Sequence, residues 1–124
     1  MKIKDKVYLI AQAALDKKAK DIVILDMKRP TQICDFFIIA SGSSVRQVKA
    51  ISDNIEDKTR QEGIRPLHIE GYNEGSWVLL DYHDIVVHVF VDEKRDFYDL
   101  ERLWADARKA VFNDREIKAA SRVS

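Results

Sequence analysis

Apolar residues recur at steps of three and four from the start of the chain. Ile3, Val7, Ile10, Ala11, Ala14 and Leu15 fall on one side of a helical wheel, which predicts an amphipathic helix over residues 3–15. Lys2, Lys4, Asp5 and Lys6 lie near its polar start, and Lys17, Lys18 and Lys20 suit its end, where free carbonyls favour positive charge. The period then changes. Asp21-Ile22-Val23-Ile24-Leu25-Asp26 is a short unbroken apolar run bounded by acids, which predicts a buried strand. Arg29-Pro30-Thr31 breaks the chain, and Phe36-Phe37-Ile38-Ile39-Ala40, rich in aromatic and β-branched residues, predicts a second strand.

Ser41-Gly42-Ser43-Ser44 supplies a tight turn with hydroxyls ready to cap a helix. That helix carries Val45, Val48, Ile51, Ile55 and Thr59 on one face and Arg46, Lys49, Asp53, Glu56 and Arg60 on the other, with Gly63 as its left-handed stop. Pro66-Leu67-His68-Ile69-Glu70 predicts a third strand, and the strand–helix–strand order favours a right-handed crossover to a parallel partner. Trp77–Tyr82 and Ile85–Val91 predict two further strands. Only His83 and Asp84 separate them, so they are expected to form a hairpin with 82 opposite 85 and 81 opposite 86. A last helix starting near Asp96 is read from Phe97, Leu100, Leu103, Trp104 and Ala107. The fold class expected is α/β, one mixed five-stranded sheet with flanking helices. Residues 1–110 are read as one domain, and 111–124 as a C-terminal tail, helical or disordered.

Alternation divides the hairpin into two faces. Val78, Leu80, Tyr82, Ile85, Val87 and Val89 form an aliphatic side suited to a core. Trp77, Leu79, Asp81, Val86, His88 and Phe90 form a side that mixes aromatic rings with an acid and an imidazole, the composition of a protein interface. Three long helices must serve two sheet faces, so this side is open either to a partner or to a covering helix. His88 itself reads equally as a hydrogen-bonded strand histidine or as a contact residue.

The chain has 124 residues, 46% of them apolar and 34% charged, enough to bury a real core. No apolar run approaches the ~20 residues of a membrane helix, and the charged start is followed by no long apolar segment of a secretory signal. A soluble cytoplasmic protein is expected. The single cysteine, Cys34, cannot form an intrachain disulfide, and it reads as a small buried residue because no base stands near it in sequence.

Net charge is zero, but it is segregated. Residues 1–65 carry 13 basic and 9 acidic side chains, residues 66–106 carry 3 and 10, and residues 107–124 carry 5 and 2. An acidic middle repels nucleic acid and steers a basic partner, or it is a solvated face.

Neither His68, His83 nor His88 has the i, i+4 helical spacing of a metal pair, and no cofactor is expected. The Ser41–Ser44 turn is either a helix cap or a phosphate cradle. It lacks the Gly-Lys-Ser/Thr of a P-loop. Nucleotidyl transfer would also require an Asp-x-Asp pair on the following strand. That strand offers only Glu70, and Asp81 and Asp84 are split across a turn. An enzyme of that class, using the Ser41–Ser44 turn, is kept as the alternative.

Asp21–Asp26, Asp35–Ser44, Glu70-Gly71, Trp77–Tyr82, Asp84–Phe90 and Arg95–Trp104 follow one another in an order and spacing that resemble the ribosomal silencing factors, the Iojap-like family, over about residues 3–107. Three positions depart from the pattern. His83 stands where the family usually has Gly, Cys34 where Ser or Thr is common, and Ser76 where an acid often precedes the Trp. The resemblance implies a nucleotidyltransferase-like fold without the catalytic carboxylates and without enzyme activity. It implies binding to the large ribosomal subunit through large-subunit ribosomal protein fourteen, with little direct nucleic-acid contact, which blocks joining of the small subunit and represses translation when nutrients are scarce. It places the contact at Trp77, Leu79, Asp81, Asp84, His88 and Phe90. A homodimer pairing through the same face is a further reading.

Overall fold

The computed structural model describes residues 1–113 and 116–119. Helix α1 (Ile3–Asp16) leads into β1 (Lys20–Asp26) and β2 (Phe36–Gly42), followed by α2 (Val45–Gln61) and β3 (His68–Glu70). The hairpin β4 (Trp77–Asp81) and β5 (Ile85–Val91) comes next, then two short helices, α3 (Asp92–Tyr98) and α4 (Leu100–Leu103), and finally β6 (Arg108–Asn113) and β7 (Glu116–Ala119).

The strands form one mixed sheet in the order β3-β4-β5-β2-β1-β6-β7. Five strands were expected and seven are present among the described residues. Residues 108–113 pair antiparallel with β1, Val23 opposite Val111 and Leu25 opposite Lys109, and β7 pairs with β6. The helical or disordered tail expected for 111–124 is therefore corrected at 111–113 and 116–119, which are strand; residues 114–115 and 120–124 lie outside the described residues. The boundary expected at residue 110 falls inside β6. An exposed edge on β1 gives these residues an extended partner, and pairing backbone groups outweighs their weak local preference for helix.

The parallel pair is also placed differently. β2 pairs in parallel with β5, Ile38 opposite Val87 and Ala40 opposite Val89. β3 runs in the same direction as β2 but lies at the sheet edge, beyond β5 and β4.

α1 and α2 pack on one face of the sheet. Val7, Ile10, Ala11 and Ala14 of α1 meet Val48, Ile51 and Ile55 of α2 above Ile24, Ile38, Val78, Leu80, Ile85, Val87 and Val89. Full burial of each isoleucine contributes about 2 kcal/mol. Ser44 caps α2 by accepting from the Gln47 amide at 3.1 Å. The helix ends at Gly63, whose φ of 75° lets the Ile64 amide reach the Thr59 carbonyl at 2.9 Å. One polar pair is built into this core, Thr59 Oγ1 with the Tyr82 hydroxyl at 2.8 Å.

Candidate functional site

Among the described residues, no long helix lies over the second face of the sheet. Its surface is built from alternate residues of adjacent strands: Val23 and Leu25 of β1, Phe37 and Ile39 of β2, Val86, His88 and Phe90 of β5, and Trp77 and Leu79 of β4. The hairpin has the expected register, with Asp81 opposite Val86 and Trp77 opposite Phe90. Its turn closes by a 2.8 Å bond from the Tyr82 amide to the Ile85 carbonyl. His83 takes a left-handed φ of 78° there, and its amide donates to Asp81 Oδ1 at 2.8 Å. That bond offsets the strain of a side chain at a position better suited to glycine.

Among the described residues only α3 and α4 cross this face. The single amphipathic helix expected from Phe97, Leu100, Leu103, Trp104 and Ala107 is instead broken at Asp99, which adopts φ 46° and ψ 57°. The break sends its apolar residues in two directions. Leu100, Trp104 and Ala107 pack onto the face, whereas Phe97 is 77% and Leu103 69% exposed. Tyr98 lies over Trp77, with ring centroids 4.6 Å apart.

The six expected contact residues are close together but not equivalent. Trp77, Leu79 and Asp81 are half-buried and reach the surface. Phe90 is 1% exposed, under Trp77 at 4.9 Å and beside Tyr98 at 6.3 Å. His88 is 4% exposed, with Phe37 against its ring at 4.6 Å and its Nδ1 accepting from Trp77 Nε1 at 3.1 Å. Neither offers an exposed surface to a partner. Burial holds the His88 imidazole down at about 4, so it is neutral near pH 7. Asp84 is already paired, with Lys6 of α1 at 2.8 Å.

Sequence reasoning missed Phe97 and Leu103 as surface groups, because their spacing with Leu100, Trp104 and Ala107 reads as one buried stripe, and it gave Tyr98 no place on either face. It also missed an acidic rim. His68 and Glu70 of β3 stand on the same face as Asp81, with the His68 Nε2 2.9 Å from Glu70 and 3.6 Å from Asp81.

At the far end of the face Arg95 of α3 is buried. It donates to Ser41 Oγ at 2.8 Å and to Glu101 at 3.0 Å, and Lys109 reaches the same carboxylate at 3.2 Å. Burial alone would raise the Glu101 carboxyl, but the hydrogen bonds and charges of Arg95 and Lys109 outweigh it and hold the group below its ordinary range. A groove of about 720 Å³ opens beside this cluster, lined among others by Lys20, Asp92, Arg95 and Glu101. Its lysines and arginine pair within the lining, Lys20 with Asp92 at 2.7 Å and Arg95 and Lys109 with Glu101.

The Ser41–Ser44 turn is used internally: Ser41 by Arg95, Ser44 by the α2 cap, and the Ser43 amide by Gln47 Oε1. Among the described residues no three His, Cys, Asp or Glu side chains converge as metal ligands. Cys34 is buried, and burial together with Asp35 and Asp81 pushes its thiol up to about 11, which makes it a poor nucleophile. No helix among the described residues is long and apolar enough to cross a membrane.

Known proteins share this sequence and fold. A family described as "ribosomal silencing factor during starvation" matches residues 1–124. The chain is 44% identical over 99 residues to the ribosomal silencing factor RsfS of Bacillus subtilis, covering 80% of this chain and 84% of that one. It is 36% identical over 98 residues to the chloroplastic protein Iojap of Zea mays, covering 79% of this chain and 42% of that one. A crystal structure of a protein from Chromobacterium violaceum matches with a TM-score of 0.83 and 36% identity over 100% of both chains. With the family matched from end to end, and a bacterial relative matched over four-fifths of its length, the chain belongs to the ribosomal silencing factors.

Proposed function

We propose that this protein is a non-catalytic anti-association factor. It docks on the large ribosomal subunit through large-subunit ribosomal protein fourteen, sterically blocks the small subunit and so represses translation. The observation that carries the reading is the second sheet face, where Trp77 and Leu79 come to the surface with the exposed Tyr98 ring over Trp77, while Leu103 of α4 is also exposed. Asp81 and Glu70 stand at its edge. An apolar centre with an acidic rim suits a basic ribosomal protein, and a standard interface of ~1,200–2,000 Å² is enough for a specific block.

In this reading residues 1–110 carry the docking, direct nucleic-acid contact is slight, and the protein works in the cytoplasm. The fold is kin to nucleotidyltransferases without their chemistry. Trp77, Leu79 and Asp81 meet the partner directly, with Tyr98 and Leu103 added. His88 and Phe90 support them from below, and Asp84 braces the hairpin through Lys6.

Sedimentation with separated ribosomal subunits, followed by a subunit-joining assay, tests the proposal. Wild-type protein is expected to move with large subunits and to reduce joining, and Trp77→Ala to lose binding by about 2 kcal/mol or more. Equal binding by a folded Trp77→Ala variant would remove this face from the mechanism. Migration of the free protein as a dimer that blocks subunit binding would favour self-pairing through the same face.

A further inference from the structure

We propose that His88 is a positioning residue: its Nδ1 takes the Trp77 indole N–H and fixes the ring, before any partner arrives, in the orientation used for docking. The proposal rests on the docking reading above.

The geometry assigns the two ring nitrogens different states. Trp77 Nε1 can only donate, so His88 Nδ1 must be the acceptor in their 3.1 Å bond. The imidazole proton then sits on Nε2. That atom is buried and has no hydrogen-bond partner among the described residues. An unsatisfied buried N–H is unfavourable, and a leucine would fill the same slot with no polar group to satisfy. The chain nevertheless carries an imidazole there, and among the described residues its one side-chain hydrogen bond is with Trp77.

The bond has a clear effect on the surface. Trp77 rests on Phe90 at 4.9 Å and against Tyr98 at 4.6 Å, and these apolar contacts set the ring's height without fixing which edge points inward. The hydrogen bond supplies that choice. It turns the only polar atom of the indole into the sheet, so the edge left for a partner is apolar. A ring locked in place before association loses less freedom on binding.

Three variants and two readouts test this. Asn places an amide oxygen close to the position of Nδ1, whereas Leu fills similar space without an acceptor. In two-dimensional 15N–1H NMR of the free protein, Trp77→Phe assigns the Trp77 indole signal against that of Trp104. His88→Leu is expected to move that signal toward the solvent-exposed position and speed its exchange. His88→Asn is expected to keep it near the wild-type position.

In sedimentation with purified large subunits, His88→Leu should weaken binding about tenfold and His88→Asn should recover most of it. In a Trp77→Phe background, which has no indole N–H, His88→Leu should add no further loss. An unmoved indole signal in folded His88→Leu would overturn the hydrogen-bond role, as would an equal loss from His88→Leu in the Trp77→Phe background. A moved signal with wild-type affinity would overturn its part in docking. Failure of the docking reading itself shows separately, as unchanged affinity in Trp77→Ala, while the NMR result stands on the free protein.

Discussion

The guanidinium of Arg95 lies 2.8 Å from the hydroxyl of Ser41, linking α3 to the end of β2 across 54 positions of sequence. Its other arm holds Glu101 beyond the Asp99 bend. One side chain thus ties together the sheet and both short helices that overlie its second face. Removing one member of a buried ionic cluster strands the others. Arg95→Ala is expected to lower stability by about 2–4 kcal/mol in urea unfolding. Arg95→Lys should recover little, because an ammonium cannot serve both partners in the geometry of the fork. A loss below about 0.5 kcal/mol, the size of an ordinary surface change, would show that the cluster holds nothing in place.

Leu103 tests whether an exposed side chain belongs to the interface. It is 69% exposed, so Leu103→Ser should change stability by less than about 0.5 kcal/mol. Affinity for large subunits should fall about fivefold. Unchanged affinity would confine the contact to the strands.

Asp81→Asn isolates charge from geometry, since the amide oxygen can still accept from the His83 amide as Oδ1 does at 2.8 Å. If the acidic rim steers a basic partner, association should slow and its salt dependence should flatten, with dissociation little altered. An identical salt profile would reject steering.

Acid should weaken the fold through His88. Its folded value is about 4 against an ordinary 6.5, because burial disfavours the charged ring. Between these limits the unfolded chain binds the proton and the folded one does not. Stability is therefore intact above about pH 6.5 and falls as pH drops toward 4, by on the order of 3 kcal/mol. Urea unfolding from pH 7 to pH 4 measures it, and His88→Leu should flatten that part of the curve. An equally steep slope in the variant would assign it to other groups.

Gly71 holds a φ of 78°, and a Cβ there would lie 2.1 Å from the Trp77 carbonyl oxygen. Gly71→Ala should cost about 3 kcal/mol or more, from left-handed strain together with displacement of the first residue of β4. A variant within about 1 kcal/mol of wild type would mean that the loop moves aside easily.

Much of the architecture was legible because local signals agreed with the global packing. The two-residue gap at His83-Asp84 dictated the register that pairs Asp81 with Val86. The three–four spacing of Val48, Ile51 and Ile55 marked a helix that buries all three. What escaped notice depended on partners far along the chain. Arg108–Asn113 has no strong strand signature and becomes a strand because β1 has a free edge. The bend at Asp99 carries no Gly or Pro to announce it. Alternation put His88 and Phe90 on the correct face, but nothing local revealed that Trp77 and Tyr98 would roof them. Asp84 looked available because its counter-ion, Lys6, is 78 positions away.

The left-handed corner at Asp99 has an evolutionary consequence. A straight helix would have hidden Leu103 and Phe97, making a better-behaved solute with less to grip. In the docking reading, the bend ties solubility to adhesiveness: exposed apolar groups offered to a target also invite aggregation in crowded solution. Selection for higher abundance and selection for tighter capture therefore pull on the same few side chains in opposite directions.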